Sequence, residues 1–277
     1  MRAEAVLVRL GKAVAVLLIV VWSAAPIAFM LLSSVKPGRD IFAVPPVLTF
    51  TPTLQHYQEL WVKWGAFFGG LANSAIIAAG ATVLAVAVST AAGYACSHFR
   101  SRFVTASATY MILVRLLPPI VITLPLFPVV NRLGLNDTHA LLIFLYATFF
   151  VSLGTLLMWT FIDRIPRELD EAALVDGAGQ FTLLWRVIAP LAAPGMLALA
   201  VFVLVYAWNE FLFAFIFAST RTKTAPLVVS EMLGSFDGVD WGVLFAAASL
   251  QLAPVLAFVV IMQKYLVSGL TAGAIKG

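Results

Sequence analysis

The sequence predicts an all-α integral membrane protein with six transmembrane helices, and three observations lead there. Hydrophobic residues make up 62% of the 277 and charged residues only 11%, far from the roughly half-apolar, quarter-charged make-up of a soluble domain. Charge-poor runs recur at the length of about 20 residues that crosses bilayer hydrocarbon. None of them alternates apolar and polar residues as barrel strands do, so helices, which pair their backbone polar groups internally, are the expected spanning elements. Folded in water, a chain this apolar would expose large greasy patches, so residues 1–277 are expected to form a single membrane domain.

The first span, about 13–35, lies in the charge-free stretch between Lys12 and Lys36. A basic start before an apolar run also describes a secretory signal. This run is too long for one, and Pro26 follows the loosely cleavage-like Ser23-Ala24-Ala25, so an uncleaved first span is expected. Between Lys36 and Gly69, Pro37, Pro45, Pro46 and Pro52 forbid a long helix and predict an exterior cap or docking loop. The second span, about 70–96, lies in the charge-free segment between Lys63 and Arg100. The third, about 103–130, is interrupted by Arg115, and Pro118, Pro119, Pro125 and Pro128 should bend or unwind its outer half. The fourth covers about 138–162, the fifth about 192–218 with Glu210 as its one charge, and the sixth about 241–263.

Basic residues set the orientation. A cytoplasmic N-terminus places Arg2, Arg9, Lys12, Arg100, Arg102, Arg164, Arg167, Arg186, Lys264 and Lys276 inside, and Lys36, Arg39, Lys63, Arg132, Arg221 and Lys223 outside. Both termini are therefore expected in the cytoplasm. The net charge of +4 is spread singly, with no basic run or aromatic-studded basic face, which argues against nucleic acid. Cys96, the only cysteine, excludes an internal disulfide and is expected to be a small apolar filler. His56, His98 and His139 have no metal-ligand spacing and are expected to be solvated. No catalytic, metal or cofactor-binding residues are expected, since no nucleophile, acid–base or metal constellation converges. The only Gly-Lys pair, Gly11-Lys12, lacks the earlier glycine of a phosphate-binding loop.

Residues 163–191 form a charged connection, predicted as two short helices around a turn. Pro166 suits a first helical position, and Glu168, Asp170 and Glu171 suit the positive end of a helix dipole. Gly177 tolerates the left-handed conformation that ends many helices. A second piece, Phe181 to Ile188, presents Phe181, Leu184, Trp185 and Ile188 at helical spacing until Pro190 ends it. Such a stripe must bury against something, either its own bundle or another chain.

Glu171-Ala172-Ala173, three residues, Gly177, nine residues, Val187, one residue, then Ala189-Pro190 resembles the EAA loop of ATP-binding-cassette importer permeases. Val187 stands where that pattern has Ile, and Ala189 where it has Leu. The C-terminal segment Gln263 to Gly277 resembles the tail of the maltose-type, carbohydrate-uptake branch of that family. Leu32-Ser33-Ser34-Val35-Lys36-Pro37, Asn73-Ser74 and Trp208-Asn209-Glu210-Phe211 echo it further.

The resemblance implies a permease subunit of a binding-protein-dependent importer for a sugar or sugar derivative, with residues 163–191 as a cytoplasmic coupling hairpin. It implies partners: a second permease subunit, two copies of a cytoplasmic ATPase that bind ATP and magnesium, an extracytoplasmic substrate-binding protein and the membrane lipid. It casts Glu171, Ala172, Ala173, Asp176, Gly177 and Pro190 as contacts to the ATPase, with Leu270 to Gly277, in the tail 265–277, as a second contact.

Buried charges are costly in a membrane and are read as functional. Arg115 lies ~18 Å along its span from the inner side and Glu210 ~27 Å along its own, at 1.5 Å per residue. They meet only if Arg115 stretches outward. Otherwise Arg115 faces a partner subunit or the translocation path, to which Asn209 and Glu210 are also assigned. An ion-coupled secondary carrier is the alternative, but it should show two similar halves with paired broken helices, and the sequence has neither.

Overall fold

The structure, a computed structural model, describes residues 2–99, 101–236 and 238–271. Arg100, Lys276 and residues 272–277 of the tail therefore lie outside the described residues. The described residues form helices α1 (Arg2–Ser34), α2 (Gln55–Lys63), α3 (Ala66–His98), α4 (Arg102–Arg115), α5 (Pro119–Arg132), α6 (His139–Ile162), α7 (Arg167–Val175), α8 (Gln180–Thr182), a π-helix (Leu183–Ile188), α9 (Ala189–Leu191), α10 (Ala193–Trp208), α11 (Leu212–Phe217), α12 (Ala225–Leu233) and α13 (Trp241–Thr271). No strand occurs among them. Among the described residues, four helical segments are long and apolar enough to cross a membrane by themselves: Arg9–Ser34, Ala66–His98, His139–Ile162 and Trp241–Gln263.

Two compact units divide the chain. One comprises the chain up to Phe67 with Val229–Ala253. Here the loop after α1 winds around buried polar side chains, most of whose polar atoms are bonded, His56 Nδ1 being left without a partner among the described residues. Lys36 donates to the Val47 carbonyl at 2.7 Å and lies over the Phe50 ring. His56 bonds the Lys36 carbonyl at 2.8 Å, and Ser34 meets the Tyr57 hydroxyl at 2.8 Å. The family-like segment Ser33 to Lys36 is thus the buried knot of this unit. The most apolar 18-residue stretch of α1 contributes no buried residue, which fits a surface made for lipid or a neighbouring subunit.

The second unit comprises Phe68–Val228 with the chain from Pro254. Its core is apolar and closely packed, with Leu142, Tyr146, Met158, Ile162, Leu183, Ile188, Leu199 and Val203 at its centre. At Gly154 a Cβ would strike the Ser89 side chain, so the two helices α3 and α6 meet there through the missing side chain.

Two of the expected spans are broken. α4 and α5 meet at 97°. The break falls at residues 116–118, because Pro118 and Pro119 have no N–H to continue the ladder. The part after it stays helical, since Pro119 occupies the first turn, where no N–H is required. Pro125 and Pro128 are carried inside α5, so the expected unwinding of the outer half is confined to one joint. The stretch expected as a fifth span divides into α10 and α11 around Asn209–Phe211.

A polar clamp joins loops of this unit. Asp137, at φ +56°, accepts from the backbone N–H groups of Ser219, Thr220, Arg221 and Thr222 and from the hydroxyls of Ser219, Thr220 and Thr222. Burial alone would raise its pKa, but these bonds win and hold the carboxyl far below the usual carboxylate range. Beside it, Asn73 donates to the carbonyls of Arg221 and Lys223 at 2.9 Å and bonds His139, while Ser74 accepts from Ala225 N–H. The Asn73-Ser74 pair therefore fixes the loop before α12.

Candidate functional site

The helix–turn–helix between α6 and α10 is the site with the clearest mechanical geometry. Pro166 stands just before α7, one residue ahead of the first helical position expected of it, and Glu168 and Asp170 occupy the first turn. Gly177, at φ +84°, reverses the chain, and a Cβ there would meet nothing within 4 Å. The conformation rather than the space selects glycine. The return arm of the hairpin runs through α8, the π-helix and α9, and then meets α10 at a 79° bend.

The π-helix changes which residues face inward. Leu183, Leu184 and Ile188 are buried in the bundle core, Trp185 is half-buried, and Phe181 is 77% exposed. Constant helical spacing would have put Phe181 on the buried stripe; the wider π turn replaces it with Leu183. It also carries the chain past Pro190, so the helix ends at the bend near Ala192 and not at the proline.

The last turn of α3 holds both arms of the hairpin. His98 Nε2 donates to Asp170 Oδ2 at 2.6 Å. Tyr94 donates to Gln180 Oε1 at 2.6 Å. Arg167 donates to the Ser97 carbonyl and hydroxyl, and Ser97 donates to Asp163. The Tyr94 and His98 rings stack with centroids 4.0 Å apart, so the contacts act as one block. Asp170 is buried, yet its Oδ1 has no partner among the described residues.

The opposite face of the hairpin is free. Glu171, Ala172, Asp176 and Gly177 are exposed, Ala173 is half-buried, and Leu174, Val175 and Phe181 add an exposed apolar surface. An acidic and apolar face beside small residues permits close approach of another protein.

The histidines correct the sequence expectation. None is solvated as expected: His56 is buried, and His98 and His139 bond Asp170 and Asn73. Their partners are 20, 72 and 66 residues away in sequence, so no local pattern shows them. Sequence reading also missed Tyr94, Ser97 and Gln180. The usable signal was a polar and aromatic cluster, Tyr94, Ser97 and His98, within one turn at the end of an apolar helix.

Arg115 and Glu210 are not ion-paired. Glu210 accepts from Phe213 N–H through both oxygens, at 3.0 and 3.2 Å, and so caps α11. The Tyr146 hydroxyl lies near it but outside bonding geometry. Asn209 bonds the Val205 carbonyl in the preceding turn. Arg115 donates one N–H to the Phe149 carbonyl at 3.2 Å, lies 5.1 Å from the Phe149 ring centre, and lines a cavity of about 240 Å³ with Tyr110, Thr148, Ser152 and Phe213.

Broken apolar helices and a hairpin clasped to the end of α3 are the features that comparison with known proteins places in a class of membrane components. The chain belongs to the family described as "Binding-protein-dependent transport system inner membrane component", which matches residues 85–272. It is 37% identical over 251 residues to the "Probable ABC transporter permease protein y4oR" of Sinorhizobium fredii, covering 91% of this chain and 90% of that one. It is 30% identical to the "Trehalose/maltose transport system permease protein MalG" of Thermococcus litoralis, over 99% of both chains. The fold resembles a chain in the crystal structure of a bacterial ABC transporter involved in the import of the acidic polysaccharide alginate, with TM-score 0.78 and 20% identity over 96% of this chain and 98% of that one. Permeases of this family work with separate ATPase and substrate-binding subunits, which disfavours a carrier acting alone.

Proposed function

We propose that the chain is the transmembrane permease subunit of a binding-protein-dependent ABC importer for a sugar or sugar derivative. Its six spans are α1, α3, the α4–α5 pair, α6, α10 with α11, and α13. The pairs are needed because α4 and α5, at 14 residues each, reach only ~21 Å at 1.5 Å per residue, short of the ~30 Å hydrocarbon. The chain lies in the cell membrane with both termini cytoplasmic, as the second half of a heterodimer with another permease, above two copies of an ATPase.

In this reading Glu171, Ala172, Ala173 and Asp176 seat in the ATPase, Gly177 sets the turn, and Pro190 belongs to the arm that enters α10. Movement of the ATPases pushes the hairpin. The contacts from Tyr94, Ser97 and His98 carry that push into α3, while the bend at Ala192 carries it into α10. The two spans then rock together and alternate the access of the path. The end of the tail, Leu270 to Gly277, is a second coupling contact.

One observation carries the reading: the hairpin is bonded to the end of a span on one face and leaves an acidic, apolar face open on the other. The test is co-purification of the subunits with the Glu171→Lys variant. Charge reversal on the open face is expected to lower ATPase recovery at least tenfold, with the permease still in the membrane. Full recovery with normal transport would remove the hairpin from the ATPase interface.

A further inference from the structure

We propose that the cavity around Arg115 receives the anionic group of the substrate, so that the transported sugar is an acidic one, bearing a carboxylate, sulfonate or phosphate. The inference rests on the importer reading above and concerns only what passes through it.

The charge carries the proposal. A guanidinium has five N–H donors, and Arg115 directs one to a backbone carbonyl and none to a carboxylate among the described residues. It has no ion pair there. The acid available within the same bundle, Glu210, is committed to the N-terminus of α11, its oxygens both on Phe213 N–H. The Phe149 ring under Arg115 orients the guanidinium plane but supplies no counter-charge. A half-buried cation in an apolar lining, left unneutralised among the described residues, is a site that an anion completes.

The surroundings fit a sugar. Arg115 stands at the end of α4, at the joint where the prolines break the helix, and broken backbone inside a membrane is tolerated where it lines a cavity. Across the cavity, Thr148 gives its proton to the Phe144 carbonyl and keeps lone pairs to accept from a sugar hydroxyl. The Ser152 hydroxyl meets no hydrogen-bond partner among the described residues. Tyr110, Phe149 and Phe213 offer apolar ring surface for the C–H faces of a pyranose. The volume, about 240 Å³, is below the ~300–1,000 Å³ of pockets that engulf a drug-sized ligand. It holds the acidic residue at one end of a substrate rather than a whole oligosaccharide.

The test uses the complete complex, permeases with their ATPases, in nanodiscs. Phenylglyoxal modification of Arg115 is followed by peptide mass spectrometry in the presence of glucuronate, glucose or inorganic phosphate at equal concentration. Glucuronate is expected to protect Arg115 about tenfold better than glucose, equivalent to 1.4 kcal/mol, and better than phosphate. Arg115→Gln should abolish glucuronate-dependent protection of the complex against thermal unfolding, and Arg115→Lys should retain part of it. Equal protection by glucose and glucuronate overturns the acidic-sugar inference and leaves the importer reading standing. Equal protection by phosphate overturns the sugar part of it. Arg115 left unmodified with no ligand added shows that a neighbouring subunit's acid already fills the role, and overturns it too. A chain that recruits no ATPase fails the importer reading first, a result visible before any ligand is added.

Discussion

Replacing Asp137 by asparagine tests whether the clamp between the α5–α6 and α11–α12 loops is held by charge. The carboxylate accepts from four N–H groups and three hydroxyls at 2.8–3.1 Å. An amide has one acceptor oxygen. Whichever way it turns, a backbone N–H that one carboxylate oxygen alone receives, Thr220 on Oδ2 or Ser219 and Thr222 on Oδ1, faces an NH₂ group. A buried donor left unmet costs about 1–3 kcal/mol, and each remaining N–H bond loses about 1 kcal/mol on passing from a charged to a neutral acceptor. The side chain is 10% exposed, so solvent repairs little. The sum is about 4–6 kcal/mol, and at about 2–4 °C per kcal/mol for a chain of this size the melting temperature falls by about 15 °C. Asparagine also adopts positive φ readily, so the +56° backbone adds no separate penalty. The assay is thermal unfolding of the detergent-purified complex. A variant that melts within about 2 °C of the parent refutes the charge argument, since even one unmet donor predicts more.

The same clamp should give a pH signature. The folded carboxyl is held below its ordinary range, so its stabilisation is complete above the unfolded value near pH 4 and drains away as pH falls below it; between pH 5 and 3 the parent should lose more stability than Asp137→Asn, and parallel curves would contradict this. At Gly177, φ +84° penalises a β-branched side chain by about 1–2 kcal/mol or more, so Gly177→Val should abolish transport in proteoliposomes while Gly177→Asn, which tolerates that conformation, keeps most of it; equal loss in both would mean that the turn is not the reason. Asp170→Ala strands His98 and Arg167 at a cost of about 1–3 kcal/mol and should separate ATP hydrolysis from uptake, read as a fall in sugar moved per ATP; unchanged coupling would leave the α3 contact a passive strut.

Much of the fold was legible because lipid imposes a simple rule on sequence. Helices such as His139–Ile162 and Trp241–Thr271 follow from apolar length alone. The turn at Gly177 and the joint at Pro118-Pro119 were legible for the same reason: each residue acts on its own backbone. The register of the hairpin was not, because the π-helix arises from how Leu183, Leu184 and Ile188 fit a core built by other helices. The polar partners were hidden as well. His98 and Asp170 are 72 residues apart, and Asp137 finds its donors 82 to 85 residues away.

The sequence by itself determined that this chain lives in a membrane, that its spans are helices, and that a charged hairpin with a glycine turn interrupts them. These are local properties of composition, spacing and backbone freedom. Only the tertiary structure decided where the buried polar groups are satisfied: Glu210 on a helix end, Asp137 in a cradle of amides, the hairpin on the last turn of α3, and Arg115 on a ring and one carbonyl. Such pairings depend on which distant segments the packed core brings within hydrogen-bond reach, and nothing in the neighbouring residues encodes that distance.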